Sequence, residues 1–203
     1  MREGVAMKKE ELRKLILTAK GAVEADVVIK NCKVVNVFTG EIQEGDIAIS
    51  GDQIAGVGQY QGKVEVDAGG RYAAPGFIDS HIHIESSYVS PEELGRLLVP
   101  HGGCTIIADP HEIVNVMGIQ ALDCMMEAAK NTKMEGLPVD VRFMLPSCVP
   151  ATPFEHAGLV LGADKMEEPI ERENILGLGE FMNFPGVFNA DDDTLDKLMV
   201  AKN

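Results

Sequence analysis

Asp79, His81, His83 and Glu85 recur at every second position in Ala74-Pro75-Gly76-Phe77-Ile78-Asp79-Ser80-His81-Ile82-His83-Ile84-Glu85, and a further acid, Glu180, stands far downstream. Side chains on a β-strand alternate between faces, so this spacing puts both carboxylates and both imidazoles on one side. Ile78, Ile82 and Ile84 take the other side, which is apolar apart from Ser80. Positions two apart on a strand lie roughly 6–7 Å from one another, close enough for the two imidazoles to meet at one ion. A histidine near a strand end is often no more than a polar residue. A pair on one face, set between carboxylates and entered through Pro-Gly, is the donor set of a metal centre.

The elements that must hold these residues fall into three stretches. Residues 1–21 carry a short amphipathic helix over 8–20. Residues 22–72 form a small β-rich domain with short runs at 26–30, 33–37, 46–50, 53–57 and 63–66, separated by Gly, Asn and Asp turns, the pattern of an antiparallel sheet. Residues 73–203 alternate strand and helix. A strand over 73–83 leads to a helix capped by Ser90, with Pro91 at its first position and Glu93 completing a capping box, and ended by Gly102-Gly103. Strand 104–109, a helix near 117–131, strand 139–146, a helix around 164–172, strand 175–180 and helix 192–202 follow. Consecutive βα units imply a parallel sheet with right-handed crossovers. Polar groups gather at the strand ends: His81 and His83, then Asp109, His111 and Glu112, then Ser147 and Cys148, then Glu180. That is where a (β/α)8 barrel places its active site, and the fold class read here is α/β, the first half of such a barrel behind a partial β-sandwich.

Composition narrows the function classes. A net charge of −14 in 203 residues argues against a nucleic-acid partner, whose phosphates need clustered Lys and Arg. No stretch approaches the ~20 apolar residues that span a bilayer, and the first twenty residues mix charges throughout, so no membrane association is expected and the chain reads as cytoplasmic. Cys32, Cys104, Cys124 and Cys148 have no C-x-x-C spacing and read as reduced core thiols. His101-Gly102-Gly103-Cys104-Thr105 lacks the ending of a nucleotide phosphate loop, so no nucleotide cofactor is implied. His83-Ile84-Glu85 matches half of the zinc cytidine-deaminase signature, but the P-C-x-x-C half is missing and that fold is rejected.

The β-rich segment followed by Pro75-Gly76-Phe77-Ile78-Asp79-x-His81-x-His83 resembles the amidohydrolase superfamily. Ala108-Asp109-Pro110-His111-Glu112-Ile113, the run from Met144 to Glu155, and the run from Gly177 to Val187 narrow the resemblance to the adenine deaminases of bacteria and archaea, over residues 22–203. The resemblance implies hydrolysis of adenine at C6 to hypoxanthine and ammonia by a metal-bound hydroxide. His81 and His83 would hold the metal, with Glu180 bridging to a second ion; manganese or iron is implied, and zinc fits the same donors. Glu180 and Glu85 would be the catalytic residues, Glu85 supporting the metal site or the substrate. Asp79, Asp109, His111 and Glu112 would support the site or hold an auxiliary ion, and the loop from Ser147 would line the purine pocket. The implied partner is adenine, in a homo-oligomer or with a complementing C-terminal chain.

A full barrel takes ~250 residues, and only four βα units are present. The family's later ligands, two histidines and an aspartate, have no counterpart after Glu180. The chain therefore resembles the N-terminal part of such an enzyme and is expected to show little deaminase activity alone. The alternatives are a cyclic amidase or amino-sugar deacetylase of the same superfamily, or a non-catalytic remnant or subunit of a split enzyme.

Overall fold

Asn31 divides the first sheet. The computed structural model describes residues 7–134, 139–152 and 154–202 and separates into two units, Met1–Pro75 and Gly76–Asn203. In the first, helix α1 (Lys9–Ala19) packs on strands β2 (Glu41–Ser50) and β3 (Gln53–Gly58). Strand β1 (Ala25–Asn36) is continuous where the sequence predicts two strands. Asn31 adopts a left-handed φ of 57° and creates a bulge, so the chain resumes pairing with the same partner instead of turning back. The antiparallel expectation holds for β1, β2 and β3. Strands β4 (Gly62–Asp67) and β5 (Tyr72–Ala73) both run parallel to β1, along successive stretches of one edge. The unit is thus one mixed five-stranded layer, where a complete sandwich has two.

Asp46 ties this layer together from a nearly buried position. Its carboxylate accepts the Lys30 ammonium at 2.6 Å, the Asn31 N–H at 3.0 Å and the Tyr60 N–H at 3.2 Å. Burial alone would raise its pKa. The Lys30 charge and the two amides outweigh that and hold it below the ordinary 3.8.

In the second unit, β6 (Phe77–Ile82), β7 (Gly103–Ala108), β8 (Asp140–Leu145) and β9 (Ile175–Leu178) form a parallel sheet in sequence order. Helices α2 (Pro91–Leu98), α3 (His111–Met117), α4 (Ile119–Met134), α5 (Glu167–Ile170), α6 (Phe184–Asn189) and α7 (Asp192–Lys202) intervene or follow. Ser90 caps α2 by accepting the Glu93 N–H, with Pro91 in the first turn. The core includes Ile84, Leu94, Ile106, Leu122, Phe143, Leu145, Leu161 and Met166. Among the described residues, no helix is long and apolar enough to cross a membrane.

Four expectations need correction here. The first barrel strand is shorter than predicted: Tyr72–Ala73 belongs to the other sheet, Pro75 interrupts, and pairing ends at Ile82. The face predicted to be apolar is buried only at its far end, since Ile84 is fully covered while Ile78 is 66% exposed on an edge strand. The single helix predicted near 117–131 is preceded by another, α3, and Gly118, at φ 73°, separates it from α4. Cys124 is exposed: Ala121, Leu122 and Ala129 turn inward and leave it on the outer side. Cys32 and Cys148 are buried, and all four thiols are free.

Two outcomes follow. Asp46→Ala strands an ammonium and two amides and should destabilise the first unit by about 2 kcal/mol, measured by urea unfolding. Because the Asp46 pKa is depressed in the folded state, its stabilisation is full above pH 3.8 and fades as pH falls through the lower folded value; the variant's stability should be flatter over that range. A thiol reagent should modify Cys124 first and Cys104 more slowly, leaving Cys32 and Cys148 unmodified until the chain unfolds, as mass spectrometry of tryptic peptides would show.

Candidate metal centre

Parallel register lines up the strand ends. Ile82 pairs with Ala108, Ala108 with Phe143, and Leu145 with Leu178. The residues just beyond therefore share one rim: His83 and Asp109 and, two past the ends of β8 and β9, Ser147 and Glu180. Backbone bonds lock that rim, with the Asp109 N–H donating to the Ile82 carbonyl at 2.8 Å and the Gly179 N–H to the Leu145 carbonyl at 2.7 Å.

On this rim His81, His83 and Glu180 come together. His83 Nε2 lies 3.2 Å from Glu180 Oε1, and His81 Nε2 lies 3.7 Å from Glu180 Oε2. The two imidazoles stand edge to face with centroids 5.0 Å apart. One ligand atom from each of the three residues fits within a 4.8 Å span. Donors about 2.0–2.2 Å from a shared cation lie roughly 3–4 Å from one another, so the spacing suits an ion.

The second ring of residues is denser and more buried. His83 Nδ1 faces Glu112 Oε2 at 3.0 Å, and His111 Nδ1 faces Asp109 Oδ1 at 2.7 Å. Neither contact has the alignment of a hydrogen bond. His83 Nδ1, Glu85 Oε2, Asp109 Oδ1 and both His111 nitrogens are buried without a hydrogen-bond partner. Each such atom costs about 1–3 kcal/mol, and several facing one region is the pattern expected where an ion completes the coordination. Burial disfavours the His83 imidazolium, but Glu112, Asp109, Glu180 and Glu85 together reverse that and raise its pKa. Burial pushes the Glu85 carboxyl up. Acids crowded this closely call for positive charge.

Glu180 is fixed through its backbone. Asp109 Oδ2 accepts the Glu180 N–H at 2.7 Å, and the Ser147 hydroxyl donates to the Glu180 carbonyl. A Cβ on Gly179 would collide with both Asp109 carboxylate oxygens, so the residue before Glu180 has no room for a side chain.

The remaining residues singled out from sequence are spread around this core. Asp79 is exposed and accepts the His81 N–H at 3.2 Å, outside the three potential ligand trios among the described residues. Glu85 lies in a 3-10 turn, Ile84–Ser87, rather than on the strand, and its Oε1 accepts the Ile113 N–H at 3.1 Å at the start of α3. His111 and Glu112 open α3. The fixing roles of Ser147 and Gly179 are missed by sequence reading. The one available signal was Gly179 standing directly between a strand and a candidate ligand.

Residues 72–202 match the sequence model of the amidohydrolase family. Adenine deaminase 2 of Desulfotalea psychrophila is 64% identical over 97% of this chain, and the adenine deaminases of Ligilactobacillus salivarius and Clostridium acetobutylicum are 56% and 54% identical over 97% and 90% of it. The matches cover 33%, 33% and 31% of those proteins, so the chain spans about a third of the length of the curated relatives it matches. Among solved structures, the zinc complex of atrazine chlorohydrolase TrzN from Arthrobacter aurescens TC1 aligns with a TM-score of 0.49 at 17% identity, over 70% of this chain and 41% of that one. The family match takes in β6 to β9 and every residue of the centre described above, and on that ground the chain belongs to the amidohydrolase family.

Proposed function

We propose that the chain carries the metal-binding part of an adenine deaminase, which hydrolyses adenine at C6 to hypoxanthine and ammonia. The observation that carries this reading is the meeting of His81, His83 and Glu180 ligand atoms within 4.8 Å, beside buried polar atoms that lack partners. The names of the three relatives supply the substrate.

His81, His83 and Glu180 would hold a divalent cation, manganese or iron, with zinc compatible with the same donors. Such an ion supplies Lewis acidity that makes water a nucleophile near neutral pH. The chain's own residues do the rest. Glu112, whose charge faces His83 Nδ1, would favour the ring orientation that leaves Nε2 toward Glu180 and free to serve as a ligand. Asp109 and Ser147 hold the Glu180 peptide from both sides, so its carboxylate is delivered to one place. The departing amine must gain a proton. Glu180 is 40% exposed and can reach a substrate from the rim, and Glu85, close to His83, has one carboxylate oxygen without a partner. The loop from Ser147 would border the purine. The same reading carries a homo-oligomer, or a second chain supplying later strands, as the assembled form.

A chimera tests the proposal. This chain would replace the matching third of the Desulfotalea psychrophila relative, and ammonia release from adenine would be followed with manganese supplied. Activity within about tenfold of the parent is expected, with a loss of at least a hundredfold for His83→Ala and for Glu180→Gln. A folded, metal-loaded chimera that leaves adenine untouched but opens hydantoins or deacetylates amino sugars would move the substrate to the other reading.

A further inference from the structure

We propose that the Cys148 thiol is a positioning residue for the metal centre, the middle link of a one-way hydrogen-bond chain from the Asn183 amide to the Glu180 carbonyl. The proposal rests on the reading above in taking Glu180 as a metal ligand. Ser147 Oγ is within reach of two groups, the Glu180 carbonyl oxygen and Cys148 Sγ, the latter at 3.1 Å. A hydroxyl has a single proton, and a carbonyl can only accept. The Ser147 proton therefore goes to Glu180, and Ser147 Oγ receives on its other side from the Cys148 S–H. The sulfur in turn accepts the Asn183 N–H at 3.4 Å. Each donor is used once, so proton accounting forces the order amide, thiol, hydroxyl, carbonyl. The chain needs the neutral thiol, since a thiolate has no proton to give.

Both ends of this chain are anchored. Ser147 and Cys148 are buried successive residues beyond β8, and they grip the two ends of the Glu180–Asn183 segment. Asn183 is held by α6 and α7: its Oδ1 accepts the Gly186 N–H at 3.2 Å, and its Nδ2 donates to buried Thr194 Oγ1 at 3.1 Å. At the other end, Ser147 takes the carbonyl of Glu180 while Asp109 takes its N–H. These bonds hold the peptide planes on either side of the Glu180 Cα, and so fix the direction in which its side chain leaves the backbone. Hydrogen bonds in series also polarise one another, so each link strengthens the next. Removing the thiol would strand the Asn183 N–H and take the incoming donor from Ser147. The Glu180 carboxylate would then have to be ordered by the ion that binds it. A C–S bond is longer than a C–O bond, so sulfur spans a distance to Asn183 that a serine hydroxyl would leave stretched.

The test joins a spectroscopic signature to metal affinity on the 203-residue chain. The S–H stretching band falls where protein and water absorb little, and a wild-type minus Cys148→Ala infrared difference isolates the Cys148 thiol. The band should lie below that of a free thiol and move up in Ser147→Ala. Titrated with Mn2+ alone and followed by electron paramagnetic resonance, Cys148→Ala should bind about fivefold more weakly, the worth of one hydrogen bond. Cys148→Ser, which keeps a donor and an acceptor, should recover most of that loss, and Glu180→Gln should bind more weakly than either. A band at the free-thiol position, or one that Ser147→Ala leaves in place, overturns the chain. So does equal weakening in Cys148→Ser and Cys148→Ala, which would make the side chain mere packing, or no weakening in Cys148→Ala while Glu180→Gln loses the ion; the metal reading survives all of these. A wild-type chain that binds no Mn2+, or that binds it as tightly after Glu180→Gln, overturns the metal reading and the positioning role together. Circular dichroism checks folding, and Cys148→Ser supplies the difference spectrum should Cys148→Ala not fold.

Discussion

The rim depends on one buried carboxylate. Asp109 follows β7 directly, has no solvent exposure, and reaches past β8 to the backbone of Glu180. Its own N–H donates to the end of β6. A carboxylate enclosed to this degree is tolerated only where hydrogen bonds or positive charge replace its lost water. A strong hydrogen bond on one oxygen and a histidine facing the other therefore dictate where the ends of β6, β7 and β9 stand. The imidazoles, the Glu180 carboxylate and the start of α3 are arranged around that fixed point.

Convergence also requires curvature. In a flat sheet, β6 and β9, three strand spacings apart, would send their side chains up along lines roughly 14 Å from one another. The 3.2 Å approach of His83 and Glu180 across that interval means that side chains at the strand ends lean toward a common axis. That inclination is the behaviour of a sheet bent as in a barrel wall, where inward groups from different strands share one interior.

Much of this was legible in the residues, and the failures have physical reasons. Ser90-Pro91 announces a helix start because cap chemistry is local. The βα alternation places the polar strand ends on one side because parallel pairing leaves little choice. The parallel docking of β4 and β5 on β1 is invisible to local patterns, since it joins segments far apart in sequence. Period-2 reasoning carries as far as Ile82 and then misplaces Glu85, because the backbone enters a 3-10 turn while the alternation of residue types continues. The helix α3 is short and begins with Pro110-His111-Glu112, polar residues at a strand end that carry no local helix signal. Its formation follows from packing, with Val114 fully buried and the Glu85 carboxylate holding the Ile113 amide.

Gly179 shows how narrowly such a rim is specified. Its backbone does not require glycine, for its φ is not among the left-handed ones. What requires glycine is the volume already claimed by the Asp109 oxygens. One added methyl group would force the carboxylate aside and free the neighbouring peptide, converting a steric change into an electrostatic one. The evolutionary freedom of this position is thus set by an acid on another strand, and any drift at one would have to be accompanied by change at the other.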